Sequence, residues 1–158
     1  MGWITLTSRL ETLDIDGNNL ELRDLQLSKE RRLVQKQLSR DQSIFNRKKK
    51  SELNDAKKEY DEWKDKKPEG AKTTDDAYTE WYQKLSELKE EYESAKYDIE
   101  NRYSDIMTEI EEQATDDEND ISDEQTTVET QLDSNKSERE TVKEQISTDI
   151  SQSQIKLK

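Results

Sequence analysis

Aliphatic side chains recur at every seventh position near the start of the chain, and this spacing constrains the fold more than any other feature. The residues are Leu6, Leu13, Leu20, Leu27 and Val34. Seven positions are close to two turns of an α-helix, so the five side chains form one narrow stripe. Such a stripe is buried by packing against another helix, which predicts an all-α, coiled-coil protein.

The overall composition agrees with a thin core. Charged residues make up 41% of the 158 residues and hydrophobic residues only 28%. A compact domain of this length is normally about 45% apolar or more, because burial must offset the loss of conformational entropy. The sequence therefore predicts an elongated molecule whose core is a layer between helices.

A single strong turn signal interrupts the helical pattern. Pro68, the only proline, stands two positions before Gly70. We predict helix 1 at about 4–66, a turn at 67–73 and helix 2 at about 74–156. The turn region as a whole lies near 66–74, and Thr73 or Thr74 caps the start of helix 2. The chain 1–158 then forms one long antiparallel helical hairpin.

Helix 2 carries its own apolar face, whose spacing changes along the chain. Trp81, Tyr92, Tyr103 and Ala114 are eleven positions apart, and Ile121 and Val128 continue from Ala114 in steps of seven. Steps of eleven and seven favour opposite supercoil directions, so we expect nonuniform winding.

A register follows if Tyr60 faces Trp81 near the turn. The same alignment places Leu38 opposite Tyr103 and Leu13 opposite Val128. It leaves residues from about 137 to 158 without a partner in their own chain. The same register also serves pairing between chains, so the sequence leaves both arrangements open.

The chain ends supply the candidate docking residues, because an overhanging amphipathic segment needs a partner. These interface candidates are Trp3, Leu6, Leu10, Val142, Ile146, Ile150 and Leu157. Large apolar groups dominate protein interfaces. The alternative for the C-terminal segment is a frayed tail.

Aromatic residues gather around the turn. They are Tyr60, Trp63, Tyr78, Trp81 and Tyr82. We interpret them as a hairpin clasp, a group that holds the two helices together where the hairpin closes.

Three charged or polar patches have ordinary structural interpretations. Residues 14–19 resemble part of a calcium loop, but Arg23 occupies the position of the closing carboxylate, so a kink near 16–19 is favoured. Acidic residues at 115–120 predict a bend, and those at 109–124 are expected to face cations at 17–32. Cations at 47–67 alternate with acids and indicate a solvated face rather than a nucleic-acid site.

The chain lacks the side chains most often used in catalysis. It has no cysteine and no histidine. This excludes thiolate chemistry and the commonest general base, so we predict no enzyme, no catalytic residue, no cofactor and no metal site.

The sequence therefore indicates a noncatalytic structural coiled-coil subunit of a larger assembly, such as a virion, secretion apparatus or surface filament. The alternative is a cytoplasmic adaptor or chaperone that binds a partner helix. In both cases the partner is protein, either the chain itself or another component. With no membrane span or secretory signal at the start of the sequence, we expect a soluble, acidic protein, cytoplasmic or part of a virion or exported assembly.

Overall fold

The computed structural model describes residues 2–156, which form two α-helices joined by a turn. Helix α1 spans Trp3–Lys64 and helix α2 spans Asp76–Lys156. The two helices pack against each other, which confirms the prediction of an all-helical hairpin for the described residues. Within this range, no helix combines the length and the apolar character that crossing a membrane requires.

The turn occupies residues 65–75. Gly70 has a φ of 69°, in the left-handed region that side chains with a Cβ seldom adopt. Outside the turn, α1 is continuous through 16–19 and α2 is continuous through 115–120. The predicted kink and bend of the helix axes stay predictions.

Asp75 caps the start of helix α2. Its backbone carbonyl accepts the N–H of Thr79 at 3.0 Å, and its side-chain Oδ2 accepts the N–H of Lys72 at 2.7 Å. The cap is therefore one or two residues later than the predicted Thr73 or Thr74. The carboxylate of Asp75 links the helix start to the backbone of Lys72 in the turn.

Contacts divide the chain into two units, each containing part of both helices. Unit 1 comprises Met1–Gln35 and Thr115–Lys158, and unit 2 comprises Lys36–Ala114.

The core of unit 1 follows the predicted spacing of seven. Its buried residues are Leu6, Leu13, Gly17 and Leu27 on α1, and Val128, Asn135 and Val142 on α2. We call this set the seam. The segments are antiparallel, because Arg9 Nε donates to Glu138 Oε1 and Arg23 Nε to Glu124 Oε1, so contacts on α1 and α2 advance in opposite directions.

The predicted register is wrong in unit 1. Leu13 was expected opposite Val128, but its backbone carbonyl accepts the side-chain N–H of Asn135, seven positions later, at 2.9 Å. The physical reason is the periodicity itself. A seam that repeats every seven residues matches apolar side chains almost equally well after a shift of seven, and here polar contacts select the shifted alignment.

The predicted register is also wrong in unit 2. Tyr103 is buried against Phe45, with ring centroids 6.4 Å apart, rather than against Leu38. Tyr60 stacks on Tyr92 at 6.3 Å. The other buried residues of this unit are Leu88, Ile99 and Ala114.

Candidate functional site

The free ends of both helices belong to unit 1, and most of the predicted interface residues there are used within the chain. Leu6, Leu13 and Val142 form one buried cluster, and Leu10 and Ile146 pack against it partly buried. The predicted overhang from residue 137 is therefore wrong for this segment. The shift in register brings it alongside the start of α1.

Other large side chains at these ends remain exposed. We call Trp3, Ile4, Ile150 and Ile155 the end residues, and their exposed fractions run from 44% to 73%. Trp3 and Ile150 were predicted interface residues, whereas Ile4 and Ile155 were missed because neither continues the apolar spacing. The remaining candidate, Leu157, lies outside the described residues.

A second set of exposed aliphatic residues lies along the part of α1 in unit 1. Ile15, Leu22, Leu25 and Leu33 are each 55–63% exposed. Sequence reasoning missed them because they do not fall on the seam. A search for a second apolar stripe on the same helix would have found them.

A close approach between the helices of unit 1 depends on Gly17. An ideal Cβ added there would lie 2.9 Å from Asn135 Oδ1, closer than real Cβ contacts. Asn135 is buried, and its Nδ2 donates to the carbonyl of Leu13. Gly17 provides the space in which a buried amide bridges the two helices.

Ion pairs flank this core. Arg23 forms two bonds with Glu124, from Nε to Oε1 at 2.7 Å and from Nη2 to Oε2 at 2.9 Å, and a third with Glu30. The hydrogen bonds to Glu124 raise the pKa of the Arg23 guanidinium above its usual value, and they lower the pKa of the Glu124 carboxyl below its usual value. One part of the acidic stretch at 109–124 thus faces a cation at 17–32, as predicted.

The turn region of unit 2 contains the residues of the predicted clasp. Trp63 and Trp81 hydrogen-bond each other's backbone, and Tyr78 packs on Trp81 with ring centroids 5.5 Å apart. Tyr82 stacks on Tyr78 at 6.3 Å and is exposed. Tyr60 instead joins Tyr92, which sequence reasoning did not include.

A polar contact in unit 2 was also missed. The hydroxyl of Tyr103 donates to Glu52 Oε1 at 2.6 Å, and Arg102 pairs with the same carboxylate. The hydrogen bond to Glu52 raises the pKa of Tyr103 above its usual value. The arrangement anchors the tyrosine ring to α1 and has the character of a structural contact.

The basic stretch at 47–67 is partly neutralised along its own helix. Lys57 pairs with Asp61 and Lys58 with Glu62, each one turn away. Lys66 lies over the ring of Trp63, 5.3 Å from its centroid. These contacts are typical of a solvated helix face.

Within residues 2–156, no cluster of three or more acidic side chains is placed to hold a metal ion. The large apolar side chains exposed in unit 1 are the end residues and the exposed aliphatic residues of α1. Comparisons with protein-family models, curated proteins and solved structures find no match for this chain.

Proposed function

We propose that this chain is a noncatalytic coiled-coil subunit that assembles with copies of itself and docks through its helix ends. The observation that carries the proposal is the exposure of the four end residues at the start of α1 and towards the end of α2. Moving the side chains of tryptophan and isoleucine out of water is favourable, so burying them in a contact stabilises that contact.

The buried cluster of unit 1 packs together the helix segments that carry the end residues. Leu6 and Val142 hold the two helices together, which fixes the positions of the neighbouring end residues. A docking surface on packed helices loses less conformational freedom on binding than a frayed tail does. In this proposal the docking contact is made by Trp3, Ile4, Ile150 and Ile155. The buried cluster keeps the two helices that carry them packed together.

Such a subunit fits an assembly in which it is present in many copies, such as a virion, secretion apparatus or surface filament. The alternative function is an adaptor that binds a partner helix. It is favoured by the exposed aliphatic residues of α1, since an amphipathic helix docks on a face of this kind. The two functions differ in stoichiometry: a subunit forms homomers, whereas an adaptor binds one client.

Size-exclusion chromatography with light scattering tests the proposal on the full chain. We expect the wild-type chain to exceed its monomer mass of 18.7 kDa, increasingly so at higher concentration. The double variant Trp3→Gln/Ile155→Gln should return towards the monomer mass, because it replaces exposed apolar groups without touching the core.

Ile44→Gln/Tyr97→Gln is the matched control, since both residues are exposed, lie in unit 2 and stand outside the clasp. Its mass should follow that of the wild type, and circular dichroism should show equal helix content for all three proteins. A wild-type chain that stays at 18.7 kDa, or an assembly that the end variant leaves unchanged, would overturn docking through the ends.

A further inference from the structure

The exposed aliphatic residues of α1 lie on the side of the helix that faces away from α2. Ile15, Leu22 and Leu25 each stand two positions from a residue of the inner stripe, Leu13, Leu20 and Leu27. Two positions correspond to about 200° around an α-helix. We call Ile15, Leu22, Leu25 and Leu33 the outer stripe.

The side chains between the residues of the outer stripe carry little charge. On the same face stand Asn18, Asn19, Gln26, Lys29 and Arg32, so two of its nine residues between 15 and 33 are charged. The chain as a whole is 41% charged, and a face kept in water would be expected to resemble that average. A low share of charged residues is typical of the central part of a protein–protein contact.

The spacing of the outer stripe is nearly the same in both directions along the helix, with intervals of 7, 3 and 8 positions one way and 8, 3 and 7 the other. If a second copy of α1 lies antiparallel, with its Leu25 against Leu22, then its Arg32 falls opposite Ile15 and its Leu33 lies one position further along. This alignment also brings Lys29 against Asn18 and Asn19 of the second copy, whose side-chain oxygens can accept from its ammonium group. A two-fold contact requires such self-complementarity, because each residue must meet its counterpart twice.

We propose that the outer stripe pairs with the outer stripe of a second copy in antiparallel orientation. A parallel pair in register would place Lys29 against Lys29, and like charges in contact are unfavourable. The occupant is thus a second copy of this chain, oriented by the pattern of its own residues. The inference deepens the proposed self-assembly and rests on it for the identity of the partner, but it uses a different surface.

Cysteine cross-linking of the full chain tests the orientation, because the chain has no cysteine of its own. Two single variants, Ile15→Cys and Leu33→Cys, are treated with a short bismaleimide separately and as a mixture. In the antiparallel pair, two Ile15 positions are about 26 Å apart along the helix axis, whereas Ile15 and Leu33 of the second copy are adjacent. We expect several-fold more cross-linked dimer in the mixture than in either variant alone.

A second measurement asks whether the outer stripe stabilises the pair. Leu22→Gln/Leu25→Gln should lower the dimer fraction severalfold in sedimentation experiments across a range of concentrations. Tyr97→Gln, an equally exposed substitution in unit 2, should leave that fraction unchanged. Both substituted leucines are more than half exposed, so the variant should keep its helix content.

The possible failures are distinguishable. Cross-linking of each variant with itself, but not in the mixture, would indicate a parallel pair and overturn the inference. Absence of any cross-link would also overturn it, and if Trp3→Gln/Ile155→Gln still lowers the mass of the assembly, docking through the end residues would stand. If neither surface affects the mass, both proposals fail.

Discussion

Trp63 and Trp81 each donate an indole N–H to the other's backbone carbonyl, and both nitrogen–oxygen distances are 3.1 Å. Trp63 lies one residue before the end of α1, and Trp81 lies near the start of α2. The carbonyl of Trp63 also accepts the N–H of Lys66 at 3.0 Å. Two reciprocal bonds therefore join the helices where the turn closes.

Removing either indole N–H should weaken this closure modestly. We expect Trp63→Phe or Trp81→Phe to lower the free energy of unfolding by about 1 kcal/mol, because each loses one hydrogen bond while keeping an aromatic ring. Urea titration followed by circular dichroism measures the change. Trp3→Phe, at the exposed end of α1, serves as the control and should be near neutral. A loss no larger than that of Trp3→Phe would contradict a stabilising role for the pair.

Gly17 and Asn135 should be energetically coupled. Replacing a helical glycine by alanine ordinarily stabilises a helix by about 1 kcal/mol. Here the added Cβ would lie 2.9 Å from Asn135 Oδ1, and moving that buried amide breaks its bond to Leu13. We therefore expect Gly17→Ala to destabilise the protein.

The sign of this effect should reverse once the amide is removed. In an Asn135→Ala background, Gly17→Ala should stabilise the protein by about 1 kcal/mol, because the clash is gone and the helix preference remains. A double-mutant cycle by urea unfolding measures both effects. Equal changes in the two backgrounds would show that the glycine does not accommodate Asn135.

This pair of residues also shows what the sequence could predict and where it failed. The stripe from Leu6 to Leu27 and the turn at Gly70 were sufficient to predict two packed helices. The alignment of those helices was not determined by apolar spacing, because a shift of seven residues conserves it. Asn135 distinguishes the alignments, but a polar residue at a buried position is recognisable only once its partner is known.

The same shift explains the errors at the candidate site. Val142 was assigned to docking because the predicted register left it without a partner, whereas it packs with Leu6 and Leu13. Ile15 and Leu22 were missed because only the spacing of seven through Leu13 was followed, and these two residues form a second stripe on the opposite face of α1.

The corrected alignment predicts different costs for two aliphatic residues of α2. Val142→Ala should lower the free energy of unfolding by about 2 kcal/mol, because it leaves a cavity in the buried cluster. Ile150→Ala should cost less than half as much in the isolated monomer, since Ile150 is exposed. Urea unfolding at low protein concentration measures both. Equal costs would contradict the alignment of α2 with the start of α1.

Acid should remove the contribution of the ion pair between Arg23 and Glu124. The pKa of Glu124 is lower in the folded protein than its ordinary value of 4.5, because Arg23 hydrogen-bonds the charged carboxylate. Its stabilising effect is therefore complete above about pH 4.5 and declines as the pH falls through the lower folded value. Since the whole chain carries a net charge of −13, total stability also responds to the other carboxyls.

The useful quantity is thus the difference in unfolding free energy between the wild type and Glu124→Gln, because most other titrations cancel in that difference. We expect the wild type to be more stable at pH 7 and the difference to shrink as the pH falls through the acid range. Glu129→Gln, an exposed substitution on the same helix, is the control and should show no comparable pH step. If the Glu124→Gln difference stays constant down to acid pH, the Arg23 contact contributes nothing that depends on the charge of Glu124. The bidentate geometry would then position the side chains without stabilising the fold.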